Sequence, residues 1–306
     1  MAAAPQRFGL VTPVVTLNPR SHAKWEESAG IEELRHLSVA AEQAGFDFLT
    51  ASEHVAVPTS VADVRGSRYY DPLATLSYLA AVTHKILLVT HVLVLPYSHP
   101  LAVAKRYGTL DAISAGRLVL GVGVGSLEEE FDLLGVKFAG RGPVYEESLH
   151  ALRAALSRRK PFFHGKYFDF EDFLIEPHAV QERVPIWLGG RSQRSLRRAL
   201  EVGDGWIPFG IGADAVAEML AQARASTPWG ERSERGEAPL EVVIQPDQLF
   251  DVADTTKADA CRELLAGYLR AGATGFKLRF RSESLDHFVD QLGLFQRNVA
   301  ERLRGG

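Results

Sequence analysis

At 306 residues, with 46% hydrophobic and 24% charged side chains, the chain has the composition of an ordinary enzyme-sized protein, which excludes a small disulfide-stapled module. Its 34 basic residues against 38 acidic ones leave a formal charge of −4, so no overall field would hold DNA or an anionic membrane, and nucleic acid is not an expected partner. Cys261, the single cysteine, forbids an internal disulfide and any multi-cysteine zinc or iron–sulfur site, and suits a reducing cytoplasm. Residues 1–8 hold no apolar core long enough for a signal peptide. Nor does any stretch reach the roughly 18 apolar residues of a membrane span, so a soluble, unexported protein is expected.

Along the chain, short β-rich runs alternate with helical periodicity. The first strand is expected over 8–15 and the first helix over 31–44, where Leu34, Leu37, Ala41 and Ala44 share a face and Gly45 is the stop. Residues 46–51 read as the second strand. Asp71-Pro72, an N-cap followed by proline at the first helical position, opens the second helix, through 83. The third pair is a strand over 86–93 and a helix over 101–113; the fourth is a strand over 118–124 and a helix over 145–156. Four shorter strands follow, over 186–188, 205–207, 240–244 and 276–280. Helices over 192–202, 213–225, 256–271 and 285–303 follow them in turn.

Apolar strands separated by amphipathic helices require a parallel sheet covered by helices. Eight units predict an α/β fold, a single (β/α)8 TIM barrel over 1–306. An open doubly wound sheet is the alternative, because periodicity cannot see closure. A barrel uses about 250 residues, so the surplus falls in the connections 53–70, 126–144, 157–184 and 226–239. The last of these, polar throughout, is expected to be a mobile solvated loop without chemistry.

In such a barrel the active site lies at the C-terminal ends of the strands. Ser52-Glu53-His54 follows the second strand, and His54 is the candidate general acid or base. His91 interrupts the apolar third strand, where a lone histidine is ordinarily a core residue with a hydrogen bond. A metal centre of His54, His91 and His99 lacks any H-x-H or H-E-x-x-H spacing, so no metal is expected. Gly121, Gly123 and Gly125 strip one face of the fourth strand, leaving room for a flat ligand, or else for close helix packing or a bulge. After the fifth strand, Gly189-Gly190-Arg191-Ser192 leads directly into a helix, whose free amides and dipole suit a phosphate. Arg194, Arg197 and Arg198 read otherwise as a solvated face. Lys277, Arg279 and Arg281 share one face of the eighth strand; pairing with acids is expected there ahead of an anionic substrate.

These segments resemble the bacterial luciferase-like superfamily. The resemblance rests on Ala51-Ser52-Glu53-His54, Leu93-Val94-Leu95-Pro96-Tyr97-Ser98-His99-Pro100, the run 109–118, Leu120-Gly121-Val122-Gly123-Val124-Gly125, Glu130-Phe131-Asp132-Leu133-Leu134-Gly135, Leu188-Gly189-Gly190-Arg191-Ser192 and Val202-Gly203-Asp204-Gly205-Trp206. Within the superfamily the chain looks most like the branch dependent on the deazaflavin coenzyme F-420. The resemblance implies a barrel that binds a deazaflavin or flavin at the strand C-termini. It also implies a non-proline cis peptide at His91-Val92, or at Thr90-His91, in a bulge that supports the ring. By the same resemblance His54 stands near the reactive ring, Gly123, Gly125 and Ser126 flank it, and Gly189, Gly190, Arg191 and Ser192 hold the phosphate. Ser126 departs from the family's sugar-phosphate dehydrogenases, which carry a glutamate there. Glu128, Glu129 and Glu130 are expected to begin a helix, and whether one of them replaces that acid stays open.

The function expected is hydride transfer between coenzyme F-420 and a small organic substrate. The alternative is an FMN-dependent monooxygenase using reduced flavin and O2. A non-redox phosphate-binding lyase or isomerase would place its glycine turn after the seventh and eighth strands, where Gln245-Pro246-Asp247 and Arg281-Ser282-Glu283 have none. Relatives suggest a homodimer through the second and third helices.

Overall fold

The structure, a computed structural model, describes residues 6–305. The leader reading of 1–8 therefore falls mostly outside the described residues. Eight strands form the centre: β1 (Arg7–Val11), β2 (Phe48–Ala51), β3 (Leu87–Thr90), β4 (Leu118–Gly123), β5 (Ile186–Gly189), β6 (Gly205–Ile207), β7 (Glu241–Ile244) and β8 (Gly275–Leu278). Each pairs in parallel with the next, and β1 pairs with β8, with Phe8 beside Phe276 and Leu10 beside Leu278. The sheet closes on itself, so the expected (β/α)8 barrel holds and the open sheet does not.

The outer ring is α1 (Ile31–Gln43), α2 (Pro72–Val82), α3 (Pro100–Ile113), α4 (Arg141–Ala155), α5 (Gln193–Val202), α6 (Ala213–Arg224), α7 (Thr255–Ala271) and α8 (Leu285–Phe295). Asp71 caps α2 as its sequence requires, accepting from the Ala74 amide at 2.8 Å. Leu34, Leu37 and Ala41 turn the buried face of α1 onto the sheet.

Inside the barrel, Phe48, Val89, Val119, Trp187, Ile207 and Val243 form a separate apolar cluster. The Phe48 and Trp187 rings meet edge-on across it at 5.5 Å. Facing glycines make this possible: a Cβ at Gly9 would stand 2.2 Å from the Phe48 ring, and one at Gly205 2.4 Å from Trp187. This packed floor leaves the C-terminal rim as the place for a site.

Several expected boundaries shift. β1 ends at Val11 rather than at 15, and β3 stops at Thr90, because the chain bulges before Leu93–Val94 rejoins the sheet beside β4. The connection 157–184 carries a short antiparallel hairpin, Phe163–His164 with Asp169–Phe170. The connection 226–239, expected as a mobile loop, is a helix over Thr227–Glu234. Its polar composition hides Arg232, which is buried and donates to the Gly203 carbonyl at 2.8 Å and the Ala238 carbonyl at 2.9 Å. No helix among the described residues is long and apolar enough to cross a membrane.

Candidate active site

His54 rises from the rim just past β2. Its Nδ1 lies 2.9 Å from Oε2 of Glu130, whose side chain is fully buried. Glu130 sits in a short helix, Glu128–Leu133, after β4. Its carboxylate also accepts from the amides of Val55 (2.5 Å) and Ala56 (3.3 Å) and from the Tyr97 hydroxyl (2.9 Å). A carboxylate accepts only, so this pairing places a proton on His54 Nδ1, and in the neutral imidazole Nε2 is the acceptor nitrogen. Burial, and then the bond to Glu130, push the Tyr97 phenol up and keep it neutral as a donor. The Tyr69 ring packs edge-on to His54 at 4.5 Å.

The three glutamates do begin a helix, as expected. Glu128 and Glu129 are exposed while Glu130 is buried. The role of Glu130 was missed because three consecutive acids read as a helix start. The signal was its neighbour: Glu130 directly precedes the buried Phe131 on the core side.

The bulge after β3 carries a cis peptide at His91-Val92, the first of the two expected positions. Residues past β2 tie it down. Ser52 donates to the His91 carbonyl at 2.8 Å, the Glu53 amide to the Val92 carbonyl at 3.4 Å, and the Val94 amide to the Glu53 carboxylate at 2.5 Å. Burial pushes the Glu53 carboxyl up to about 7, against that amide bond. Val92 fills the space that glycines leave open: its methyl groups lie 2.7 Å and 3.2 Å from where a Cβ would stand at Gly123 and Gly189. Gly125, at φ +78°, makes room for Phe131 and Val94 in the same way. The glycine face thus receives the Val92 bulge. Ser126 is exposed beside it.

Gly189, Gly190, Arg191 and Ser192 make the turn from β5 into α5. Gly190 has φ +127°, and a side chain there would meet Ser195 Cβ at 2.7 Å. Trp206 Nε1 donates to its carbonyl at 2.9 Å. Ser192 caps the helix: its hydroxyl accepts from the Ser195 amide at 3.3 Å, and its own amide reaches Ser195 Oγ at 3.1 Å. Among the described residues the Arg191 amide takes no carbonyl or side-chain acceptor, and those of Gln193 and Arg194, in the first turn of α5, take none outside the helix. The Arg191 guanidinium lies 5.3 Å from the centre of the Phe209 ring. Arg197, exposed and paired with Glu201, lies on a solvated face as expected, but Arg198 does not: its side chain is largely buried over the Tyr145 ring and pairs with Glu146.

The luciferase-like monooxygenase family model matches residues 7–301. The chain belongs to this family. An uncharacterized protein of Mycobacterium tuberculosis is 30% identical over 284 residues, covering 87% of this chain and 94% of that one. The 5,10-methylenetetrahydromethanopterin reductase of Methanolobus tindarius is 27% identical over 243 residues, 79% of this chain and 68% of that one. Among solved structures, the monooxygenase RslO1 of Streptomyces bottropensis superposes with a TM-score of 0.79 at 19% identity, covering 97% and 99% of the two chains. The coenzyme F420 dependent tetrahydromethanopterin reductase of Methanopyrus kandleri gives 0.74 at 16% identity, covering 98% and 99%. The chain is thus an oxidoreductase of the luciferase-like family, and the lyase or isomerase barrel is set aside.

In this luciferase-like barrel the three histidines are not brought together. His54 binds Glu130, His99 caps α3 through the Leu101 amide at 3.2 Å, and His91 turns inward to Lys277 Nζ at 2.6 Å. Burial holds the Lys277 amine and, with the Lys277 charge beside it, the His91 imidazole well below their ordinary values. The expected pairing of strand-eight basic residues with acids is therefore wrong. Among the described residues neither Lys277 nor Arg279 has a carboxylate within 4.0 Å. Alternation placed them on one face correctly, but there Lys277 is buried against His91 and Arg279 reaches Ser21.

Proposed function

We propose that the protein transfers a hydride between coenzyme F-420 and a small organic substrate, with His54 as the proton donor or acceptor. The observation that carries this reading is the His54–Glu130 pair: an imidazole at the barrel mouth, fixed in one tautomer by a buried carboxylate. Hydride transfer to or from a carbon bearing oxygen or nitrogen requires such a proton partner. The relative that is a methylenetetrahydromethanopterin reductase supports a reductase over an oxygenase.

The residues present fit the coenzyme. Gly189, Gly190, Arg191 and Ser192 would hold its phosphate on three free amides and a guanidinium. The His91-Val92 bulge, wedged against Gly123 and held by Glu53, would support the ring, with Gly125 and Ser126 at its side. When bound, the deazaflavin supplies a carbon centre that exchanges hydride and does not activate oxygen. The protein orients the partners, excludes water and moves the proton through Nε2 of His54.

The family's name favours one second reading, an FMN-dependent monooxygenase using the same turn. Titrating the protein with oxidised F-420 and with FMN separates them. A cytoplasmic homodimer through α2 and α3 goes with either reading; Ile113, at the end of α3, leaves a large apolar side chain exposed.

A further inference from the structure

We propose that Arg279 binds an oxyanion on the substrate, a carboxylate or a phosphate, in a cleft between the ends of β1 and β8 at the mouth of the barrel. This deepens the functional reading above and rests on the barrel mouth being the substrate site. Arg279 follows β8 directly, with its carbonyl bonded to the Phe250 amide at 2.9 Å, so its backbone is fixed. A guanidinium has five N–H donors. Here one nitrogen reaches the Ser21 hydroxyl at 2.5 Å, while Nε is buried with no partner among the described residues.

A largely buried guanidinium without a carboxylate is unusual, because desolvating the charge is unfavourable unless an anion compensates. The acids that feel its charge do not answer it. Glu26 already accepts from the amides of Val14 at 2.9 Å and Ala23 at 2.7 Å. Asp247 acts on Arg279 only through space. Lys277 and His91 stand on the same side and add no negative charge.

Arg279 instead lines a small cleft with Thr12, Asn18, Ser21, His22 and Glu26; the Thr12 and Ser21 hydroxyls accept from the Thr50 amide and from Arg279 and keep their own hydrogens free to donate. Tyr69 links this cleft to the chemistry: its backbone bridges to Thr16, which lines the cleft, and its ring packs edge-on against His54. An oxyanion held by the guanidinium fork would anchor one end of a small substrate and leave its reacting carbon toward His54.

The test uses the full chain without cofactor, titrated with inorganic phosphate and with acetate by calorimetry. Phosphate is also expected at the β5 turn, so the background is Arg191→Ala. In that background at least one of the two anions should still bind, and adding Arg279→Met should weaken it at least about tenfold, the loss of a charge-assisted bond. Which anion binds tells carboxylate from phosphate. Arg279→Lys keeps the charge without the fork and should bind at intermediate strength, a comparison that stands even if the Met variant melts early. Absence of binding in the Arg191→Ala protein, or equal affinity with Arg279 and with Lys or Met in its place, would overturn the proposal. Because no coenzyme is present, failure of F-420 binding leaves this outcome readable.

Discussion

Glu130 Oε2 lies 2.9 Å from Nδ1 of His54, and the same carboxylate collects the Val55 and Ala56 amides and the Tyr97 hydroxyl. One buried acid therefore fixes both a histidine's tautomer and the loop that carries it. With any substrate the wild type turns over, His54→Ala should lower kcat at least about tenfold, the usual share of general acid or base catalysis. Unchanged turnover would make His54 structural. Glu130→Ala should also destabilise the protein by about 1–3 kcal/mol in urea unfolding, because it strands buried donors.

Glu53 titrates against the fold. Its carboxyl rises from the ordinary 4.5 to about 7 through burial, so the folded state holds the proton more tightly than the unfolded one. That contribution to stability is full below about pH 4.5, shrinks as pH rises through 7, and is absent above. Glu53→Gln removes the dependence. Relative to wild type it should gain about 1–3 kcal/mol between pH 5 and pH 8 in urea unfolding. A constant difference across that range would show Glu53 to be an ordinary carboxylate.

The turn after β5 offers a direct handle on the cofactor. Arg191→Glu should weaken coenzyme binding at least about tenfold by fluorescence titration, since it replaces a charge-assisted contact with repulsion. Unaltered affinity would move the phosphate elsewhere.

Gly9 tests the barrel floor. Adding a methyl group drives it into the Phe48 ring, and Gly9→Ala should cost about 1–3 kcal/mol of stability, read from the urea midpoint. A neutral result would mean that Phe48 turns aside without loss.

Much of this was legible in the sequence. The alternation of strands and helices carried the barrel, and Gly189-Gly190-Arg191-Ser192 carried the turn, because both are local patterns. The family motifs carried the position of the cis peptide. What periodicity cannot see is contact between distant segments. Glu130 meets His54 across 76 positions and Lys277 meets His91 across 186. Polar composition likewise misread 226–239, where a single inward arginine, Arg232, holds a helix in place.

Binding of the two candidate cofactors tests the central claim most directly. Purified protein titrated with oxidised F-420 and with FMN, followed by absorbance and fluorescence, should bind F-420 tightly and lose that binding in Arg191→Glu. Tight FMN binding with none for F-420 would contradict the account and make the protein a flavin monooxygenase.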